Sequence, residues 1–174
     1  GTDVYAQTIA YDSAMRMTQL VRGANKVNTV FNYNAWNQDG GRLLNLSAGT
    51  LQNLAYVYDP VGNIMQITNS VASETNTYGY DALDRLTSWT LNSVTEEYNY
   101  DGDTGNLIDK NGLLLDYPDA NGSQATHPHA VTSANASVYA YDDNGNQTTR
   151  TFGSDHFDLV YDAENRLVEV QKNN

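Results

Sequence analysis

Large apolar and aromatic residues recur along the chain at every second position in short runs, each closing on tyrosine followed by Asp or Asn. Ile9-Ala10-Tyr11-Asp12, Phe31-Asn32-Tyr33-Asn34, Tyr56-Val57-Tyr58-Asp59, Tyr78-Gly79-Tyr80-Asp81, Tyr98-Asn99-Tyr100-Asp101, Tyr139-Ala140-Tyr141-Asp142 and Leu159-Val160-Tyr161-Asp162 are seven imperfect copies of one unit. A period of two puts both large side chains of a run on one face of a β-strand. No window of about a dozen residues keeps a 3.6-residue period, so helix content is predicted close to nil.

Each Tyr-Asp pair leads into turn residues. Gly62-Asn63, Gly105-Asn106 and Gly145-Asn146 supply residues that accept positive φ, and Asp84-Arg85 and Asn165-Arg166 set Asp or Asn in the same place with Arg behind it. The Asp after the tyrosine is placed to accept hydrogen bonds from backbone N–H groups of its own turn. A second apolar run follows: Ile64 to Thr68, Leu86 to Leu91, Leu167 to Val170. Strand, Asp-led turn and strand make a β-hairpin, and polar connections such as Asn69-Ser70 or Asn92-Ser93 join one hairpin to the next.

Motif tyrosines lie 17 to 25 residues apart once Tyr117 is counted as a divergent copy. Insertions fall in turns: Trp36-Asn37-Gln38-Asp39 precedes Gly41-Arg42-Leu43, and the Tyr100 copy carries one extra residue before Gly105. The rhythm breaks over about 116–133, where Tyr117-Pro118, Asn121-Gly122 and His127-Pro128-His129-Ala130-Val131 predict a longer irregular crossing. The fold class read from this pattern is all-β, one continuous array over 1–174 of tandem antiparallel hairpins, with about 12–16 strands. Both ends read as cuts through a longer chain.

Length changes this picture little: 174 residues suffice for a buried core. Charge changes it more. Nine Lys and Arg against 21 Asp and Glu give −12, which repels nucleic acid and anionic membrane surfaces. No apolar run approaches the roughly 20 residues that span a bilayer, so no membrane insertion is expected. The absence of Cys rules out disulfides and thiolate sites. Thirteen Tyr against three Phe and two Trp make the aromatic content amphipathic, suited to half-buried strand positions.

Tyr-Asp-x-x-Gly-Asn and Tyr-Asp-Ala-x-Asn-Arg-Leu recurring about every twenty residues, with Thr126-His127-Pro128-His129-Ala130-Val131-Thr132 among them and Tyr161-Asp162-Ala163-Glu164-Asn165-Arg166-Leu167 at the close, resemble the Rhs/YD-repeat family. That family is found in bacterial polymorphic toxins, insecticidal toxin-complex C components and teneurins. The resemblance covers nearly the whole chain. It implies a β-sheet ribbon that curves and spirals into part of a hollow shell, in a secreted or cell-surface bacterial protein. Its partners would be the rest of the same polypeptide and an enclosed C-terminal effector. The self-cleaving aspartyl site of the core-associated region, and the variable effector itself, match no residue here.

Candidate chemistry is weighed against that structural role. His127 and His129 offer two imidazoles, whereas a closed metal site needs three or four ligands. Asp101-Gly102-Asp103-Thr104-Gly105-Asn106 and Asp142-Asp143-Asn144-Gly145-Asn146 resemble calcium loops but lack the closing bidentate Glu. The repeated Asp sit at equivalent points of separate hairpins, not as a converged acid and base pair. No serine lies in a Gly-x-Ser-x-Gly turn. The reading is no catalytic residue, no metal and no cofactor. Tyr11, Asp12, Tyr33, Asn34, Tyr58, Asp59, Gly62, Asn63, Tyr80, Asp81, Arg85, Tyr100, Asp101, Gly105, Asn106, Tyr141, Asp142, Gly145, Asn146, Tyr161, Asp162 and Arg166 form a structural repeat motif. The rival function is glycan binding or adhesion through Trp36, Trp89 and the tyrosines. Open sheet ends predict self-association as a dimer or an end-to-end filament, the last hairpin meeting the first.

Overall fold

The computed structural model describes residues 5–23, 26–118 and 127–173. The chain is all β, with sixteen strands and, as the one helical element among the described residues, a 3-10 turn at Asp39–Gly41. Its residues group into two units, Gly1–Glu96 and Glu97–Asn174.

The first unit contains β1 (Ala6–Tyr11), β2 (Met17–Arg22), β3 (Val27–Tyr33), β4 (Leu43–Ala48), β5 (Gln52–Tyr58), β6 (Ile64–Asn69), β7 (Glu74–Tyr80) and β8 (Leu86–Leu91). Each pairs antiparallel with the next in chain order. β9 (Val94–Tyr100) begins at its end and leads the second unit, which continues through β10 (Leu107–Lys110), β11 (Leu113–Asp116), β12 (Ser133–Ala134), β13 (Ser137–Tyr141), β14 (Gln147–Phe152), β15 (Asp155–Tyr161) and β16 (Leu167–Asn173), again in chain order. Nearest-neighbour pairing throughout is what short polar connections permit. The interrupted segment is met by the two-residue β12, pairing Leu115 with Ala134 and Asp116 with Ser133. Part of the irregular crossing expected there, residues 119–126, lies outside the described residues.

Register shows one feature the sequence reading did not foresee. The pairing slips by one residue just before the motif tyrosine in seven hairpins, between Ala10 and Tyr11, Asn32 and Tyr33, Val57 and Tyr58, Gly79 and Tyr80, Asn99 and Tyr100, Ala140 and Tyr141, and Val160 and Tyr161. Such a bulge gives one strand an extra residue, here Met65 between Ile64 and Gln66 for example, and increases local twist.

Length suggested a buried core, and the structure corrects that. Among described hydrophobic residues only Val21 and Ala48 are buried, and no large side chain is fully so. The reason is topological: within each unit the strands extend one sheet, and among the described residues no second layer covers it. The two faces differ. In the first unit, register places Phe31, Leu46, Leu54, Tyr56, Ile67, Tyr78, Trp89 and Leu91 on one face. The other carries Asn32, Asn45, Ser47, Asn53, Gln66, Thr68, Thr75, Thr77, Ser88 and Thr90 together with Val30, Ala55 and Val57, while Asn69, Glu74 and Asn76 join the apolar face, so the division is one of predominance. Aromatic rings in direct cross-strand positions, as in Tyr78 opposite Trp89, stabilise such a sheet from one side only.

Candidate functional site

The repeated turns form the first candidate site. Counting the motif tyrosine as the first place, the carboxylate in second place clasps its own turn. Asp59 Oδ1 accepts the N–H of Gly62 at 2.6 Å and of Asn63 at 2.8 Å, and its Oδ2 accepts Asn63 Nδ2 at 3.0 Å. Asp142 repeats this with Asn144, Asn146 and the Asn146 amide. In the arginine-bearing copies the guanidinium replaces the amide: Asp12, Asp81 and Asp162 each accept Nε of the sixth-place Arg16, Arg85 and Arg166 at 2.7, 2.7 and 2.8 Å. Asn and Arg are therefore interchangeable in closing the turn. The fifth place has positive φ in each: Met15 61°, Gly62 110°, Asp84 59°, Gly145 85°, Asn165 58°. Gly and Asn or Asp take that conformation readily, whereas a methionine there is strained.

These hydrogen bonds favour the ionised carboxylate, and all six Asp are held below the ordinary carboxylate range. The leading cause is the Arg16 and Arg85 backbone N–H at Asp12 and Asp81, the Thr104 hydroxyl at Asp101, and the Asn146 and Arg166 side chains at Asp142 and Asp162. At Asp59 desolvation is the largest single influence and opposes the shift, but the bonds from Gly62 and Asn63 outweigh it together.

The sixth-place residue also reaches the following turn. Arg16 Nη1 donates to the Gly41 carbonyl at 2.6 Å, Arg42 Nη2 to the Val61 carbonyl at 3.2 Å, Asn63 Nδ2 to Asp84 Oδ1 at 2.8 Å, and Asn146 Nδ2 to Asn165 Oδ1 at 2.9 Å. What stands in fifth place matches what arrives. A Cβ on Gly41 would lie 2.7 Å from Arg16 Nη1, and one on Gly62 only 2.0 Å from Arg42 Nη2, so an arriving arginine needs glycine. An arriving asparagine meets Asp84 or Asn165, which offer it a side-chain oxygen.

Motif tyrosines link the same neighbouring hairpins in the opposite direction, each donating back to the hairpin before it. Tyr33, Tyr58 and Tyr80 donate their hydroxyls to the carbonyls of Met17, Leu43 and Ile64, the first residues of the preceding β2, β4 and β6, at 2.7, 2.8 and 3.0 Å. Tyr117 does the same to Leu107, at the start of β10, and Tyr141 to Val131. The divergent copy thus keeps its tyrosine's bond. Desolvation pushes the phenols of Tyr56, Tyr58, Tyr80 and Tyr117 above the usual range.

The one-residue insertion in the Tyr100 copy has a local consequence. Asp101 is satisfied by Asp103 and by the N–H and hydroxyl of Thr104, leaving the buried Asn106 to turn elsewhere. Its amide donates to the Pro128 carbonyl at 2.9 Å, and its oxygen lies 2.7 Å from His129 Nδ1. His127 Nε2 is 2.8 Å from the Asp142 carbonyl. Both histidines fasten their segment to repeat turns and point to different partners. No three His, Asp or Glu residues converge as a metal set among the described residues. The oxygens of the calcium-loop candidates Asp101 and Asp142 face their own turns' donors.

Trp36 and Trp89 occupy different settings. Trp36, in the insertion, is 65% exposed and stacks on the Arg16 guanidinium, which also lies over Tyr33. Trp89 is half-buried on the aromatic face, its indole N–H donating to Asn76 at 2.8 Å. In the second unit Arg150 lies among Phe152 and Phe157, with a buried Nε that has no hydrogen-bond partner. Sequence periodicity gave no sign of this cation on an aromatic face.

No protein-family model and no curated protein matches this sequence. Solved structures do. A crystal structure of TcdB2-TccC3-TEV matches at 18% identity with a TM-score of 0.58, and the Photorhabdus luminescens Tc holotoxin pore with a mutation in TccC3 at 19% with a TM-score of 0.59. Each match covers 95% of this chain and 11% of the other, so the chain spans about a tenth of the length of the proteins it resembles. At this identity the likeness is one of fold: the hairpin-repeat sheet of this chain is a fold also found in Tc toxin components.

Proposed function

We propose that this chain is a non-catalytic wall segment of a YD-repeat shell, working as part of a longer secreted or surface bacterial polypeptide that encloses an effector segment. The observation that carries the reading is the two-faced sheet without a second layer. In the first unit one face is rich in aromatic and aliphatic residues and the other in small polar ones. The hydroxyls of Tyr33, Tyr58 and Tyr80 with the side chains of Arg16, Arg42 and Asn63 join one hairpin to the next, while the motif aspartates close their own turns. A wall needs an inner face suited to a partly apolar polypeptide and an outer face suited to water, and a sheet that extends by repetition supplies both. The Tc toxin components that share the fold support the same reading.

Adhesion to glycans is the second reading, favoured by the exposure of Trp36. Against it, Tyr33, Tyr58, Tyr80 and Tyr141 are half-buried with their hydroxyls engaged by backbone, which leaves no continuous solvent-facing aromatic strip made by the motif. One experiment separates the two. In a Trp36→Phe variant, Trp89 is the sole indole and reports on the aromatic face. Its emission should shift to the blue when a permanently unfolded, apolar polypeptide is added and stay unchanged with sugars. Saturable hits on a glycan array that vanish with Trp36→Ala or Trp89→Ala would replace the wall with an adhesin.

A further inference from the structure

In each regular hairpin of the first unit, the residue opposite the large side chain two before the motif tyrosine is apolar and lies on the apolar face. Leu20, Leu46, Ile67 and Trp89 hold that place, opposite Ile9, Phe31, Tyr56 and Tyr78. The second unit departs from this twice. Lys110 holds the place opposite Tyr98, and Arg150 holds it opposite Tyr139, with Phe157 on its other side. Both substitutions set a cation where the other hairpins set a hydrocarbon.

Arg150 is the more unusual of the two. Its guanidinium carbon lies 5.1 Å from the centre of the Phe157 ring and 5.9 Å from that of Phe152, and Phe152 meets Tyr139 and Phe157 edge-on. Its Nε is buried without a partner, and the side chain makes no hydrogen bond or ion pair among the described residues. Asp155, on the same face, is engaged by Lys172 at 2.9 Å. Rings attract a cation but satisfy none of its N–H donors. The residue is half-buried, so part of it stays open to the face. Lys110 is exposed, its Nζ 5.8 Å from the Tyr98 ring centre. Between the two cations runs a groove of about 290 Å³, lined chiefly by Leu113, Leu115, Val131, Ala134, Tyr139 and Tyr141. Register keeps Lys110, Leu113, Leu115, Ala134, Tyr139 and Arg150 on one face.

We infer that this groove binds an extended, acidic stretch of polypeptide, its apolar side chains in the groove and a carboxylate on the cation at each end. The planar guanidinium of Arg150 takes a carboxylate through paired N–H donors, and the rings around it exclude water and strengthen that bond. A chain of net charge −12 repels acidic polymers in general, so selection falls on those whose carboxylates reach both cations. Their spacing follows from the register. Lys110 and Arg150 are four strand spacings and four residues apart, which is about 23 Å on a flat sheet. Six residues of extended peptide cover about 20 Å, and the long lysine and arginine side chains close the remainder. An even interval also puts both acids and the apolar residues between them on one side of the peptide. The favoured pattern is Glu-x-Leu-x-Leu-x-Glu. It holds whether or not the sheet encloses its partner.

Fluorescence anisotropy of a dye-labelled, end-capped peptide Glu-Thr-Leu-Thr-Leu-Thr-Glu, titrated with the full chain, provides the test. Arg150→Leu gives this hairpin the residue that Leu20 and Leu46 supply in theirs, so its circular dichroism should be unchanged and its melting temperature no lower than wild type. It should nevertheless bind the peptide about tenfold more weakly. Arg150→Lys, which keeps the charge and loses the fork, should fall between. Lys110→Leu should weaken binding about threefold and make it less sensitive to salt. On the wild-type chain, replacing both Glu of the peptide by Gln, or both Leu by Ser, should each cost a similar factor to Arg150→Leu. The inference is overturned if the wild-type chain does not bind the acidic peptide, if the Gln or Ser form binds as well, or if Arg150→Leu binds with unchanged affinity. In that last case Arg150 would only brace its rings. Trp89 lies in the first unit, so its emission experiment can succeed or fail separately from this one.

Discussion

The turn at Asp59 and the turn at Asp101 start from almost the same residues and end in different jobs. In the first, Asn63 closes the loop on Asp59 and then links to Asp84. In the second, one added residue lets Thr104 satisfy Asp101, so the corresponding Asn106 is released from its own turn, becomes buried, and holds the His127–Ala130 segment through Pro128 and His129. The lesson is that a repeat's polar inventory is fixed while its destinations depend on loop length. A single insertion turned a turn-closing amide into an anchor for the one irregular stretch.

That comparison can be broken in order of expected effect. The motif tyrosine should matter most in the regular hairpins. Tyr58→Ala is expected to cost about 2–3 kcal/mol in urea unfolding, less than a fully buried aromatic because the ring is only half-buried, and Tyr58→Phe about 1 kcal/mol for the lost bond to the Leu43 carbonyl. Equal losses for the two variants would mean that the ring contributes nothing beyond its hydroxyl.

Next comes the asymmetry between the asparagines. Asn106→Ala strands a proline carbonyl and a histidine ring at a buried position and should cost about 2 kcal/mol, whereas Asn63→Ala, at a partly exposed turn, should cost about 1 kcal/mol. Asp59→Ala should destabilise in the same direction through the lost turn hydrogen bonds. The comparison sharpens further with deletion of Asp103: Asn106 should return to Asp101, and the His129 ring resonances should move toward those of a solvated imidazole.

Acid and base act on both regions alike. The turn carboxylates have lowered folded pKa values, so their stabilisation is present above the unfolded value near 4 and is lost as pH falls through the lower folded values. Tyr56, Tyr58, Tyr80 and Tyr117 are raised, so their contribution is complete below the unfolded value near 10 and is lost as pH rises through the folded ones. Thermal melts should therefore show a plateau between these limits. Declining stability at pH 5 to 6 would contradict the role given to the aspartates.

The smallest effect has the opposite sign. Met15→Gly removes a β-carbon from a residue with a φ of 61° and should stabilise the fold by about 0.5 kcal/mol, the strain relieved exceeding the added chain entropy.

Much of this was legible in the residue order because the controlling interactions are local. Alternation of apolar residues fixes which side chains share a face, and an Asp five residues or fewer from its donors fixes a turn, as at Asp59 and Asp81. The strand starts at Ile64, Leu86 and Leu167 were likewise readable from the end of each turn. Tertiary structure alone decided the rest, since it depends on neighbours some twenty residues away. The bulge before each tyrosine, the hydroxyl bond from Tyr58 to Leu43, the match between Arg42 and Gly62, and the diversion of Asn106 arise only when hairpins lie side by side. So does the missing core: within each unit, pairing each strand with the next in line extends a sheet, and among the described residues only Val21 and Ala48 are buried hydrophobics.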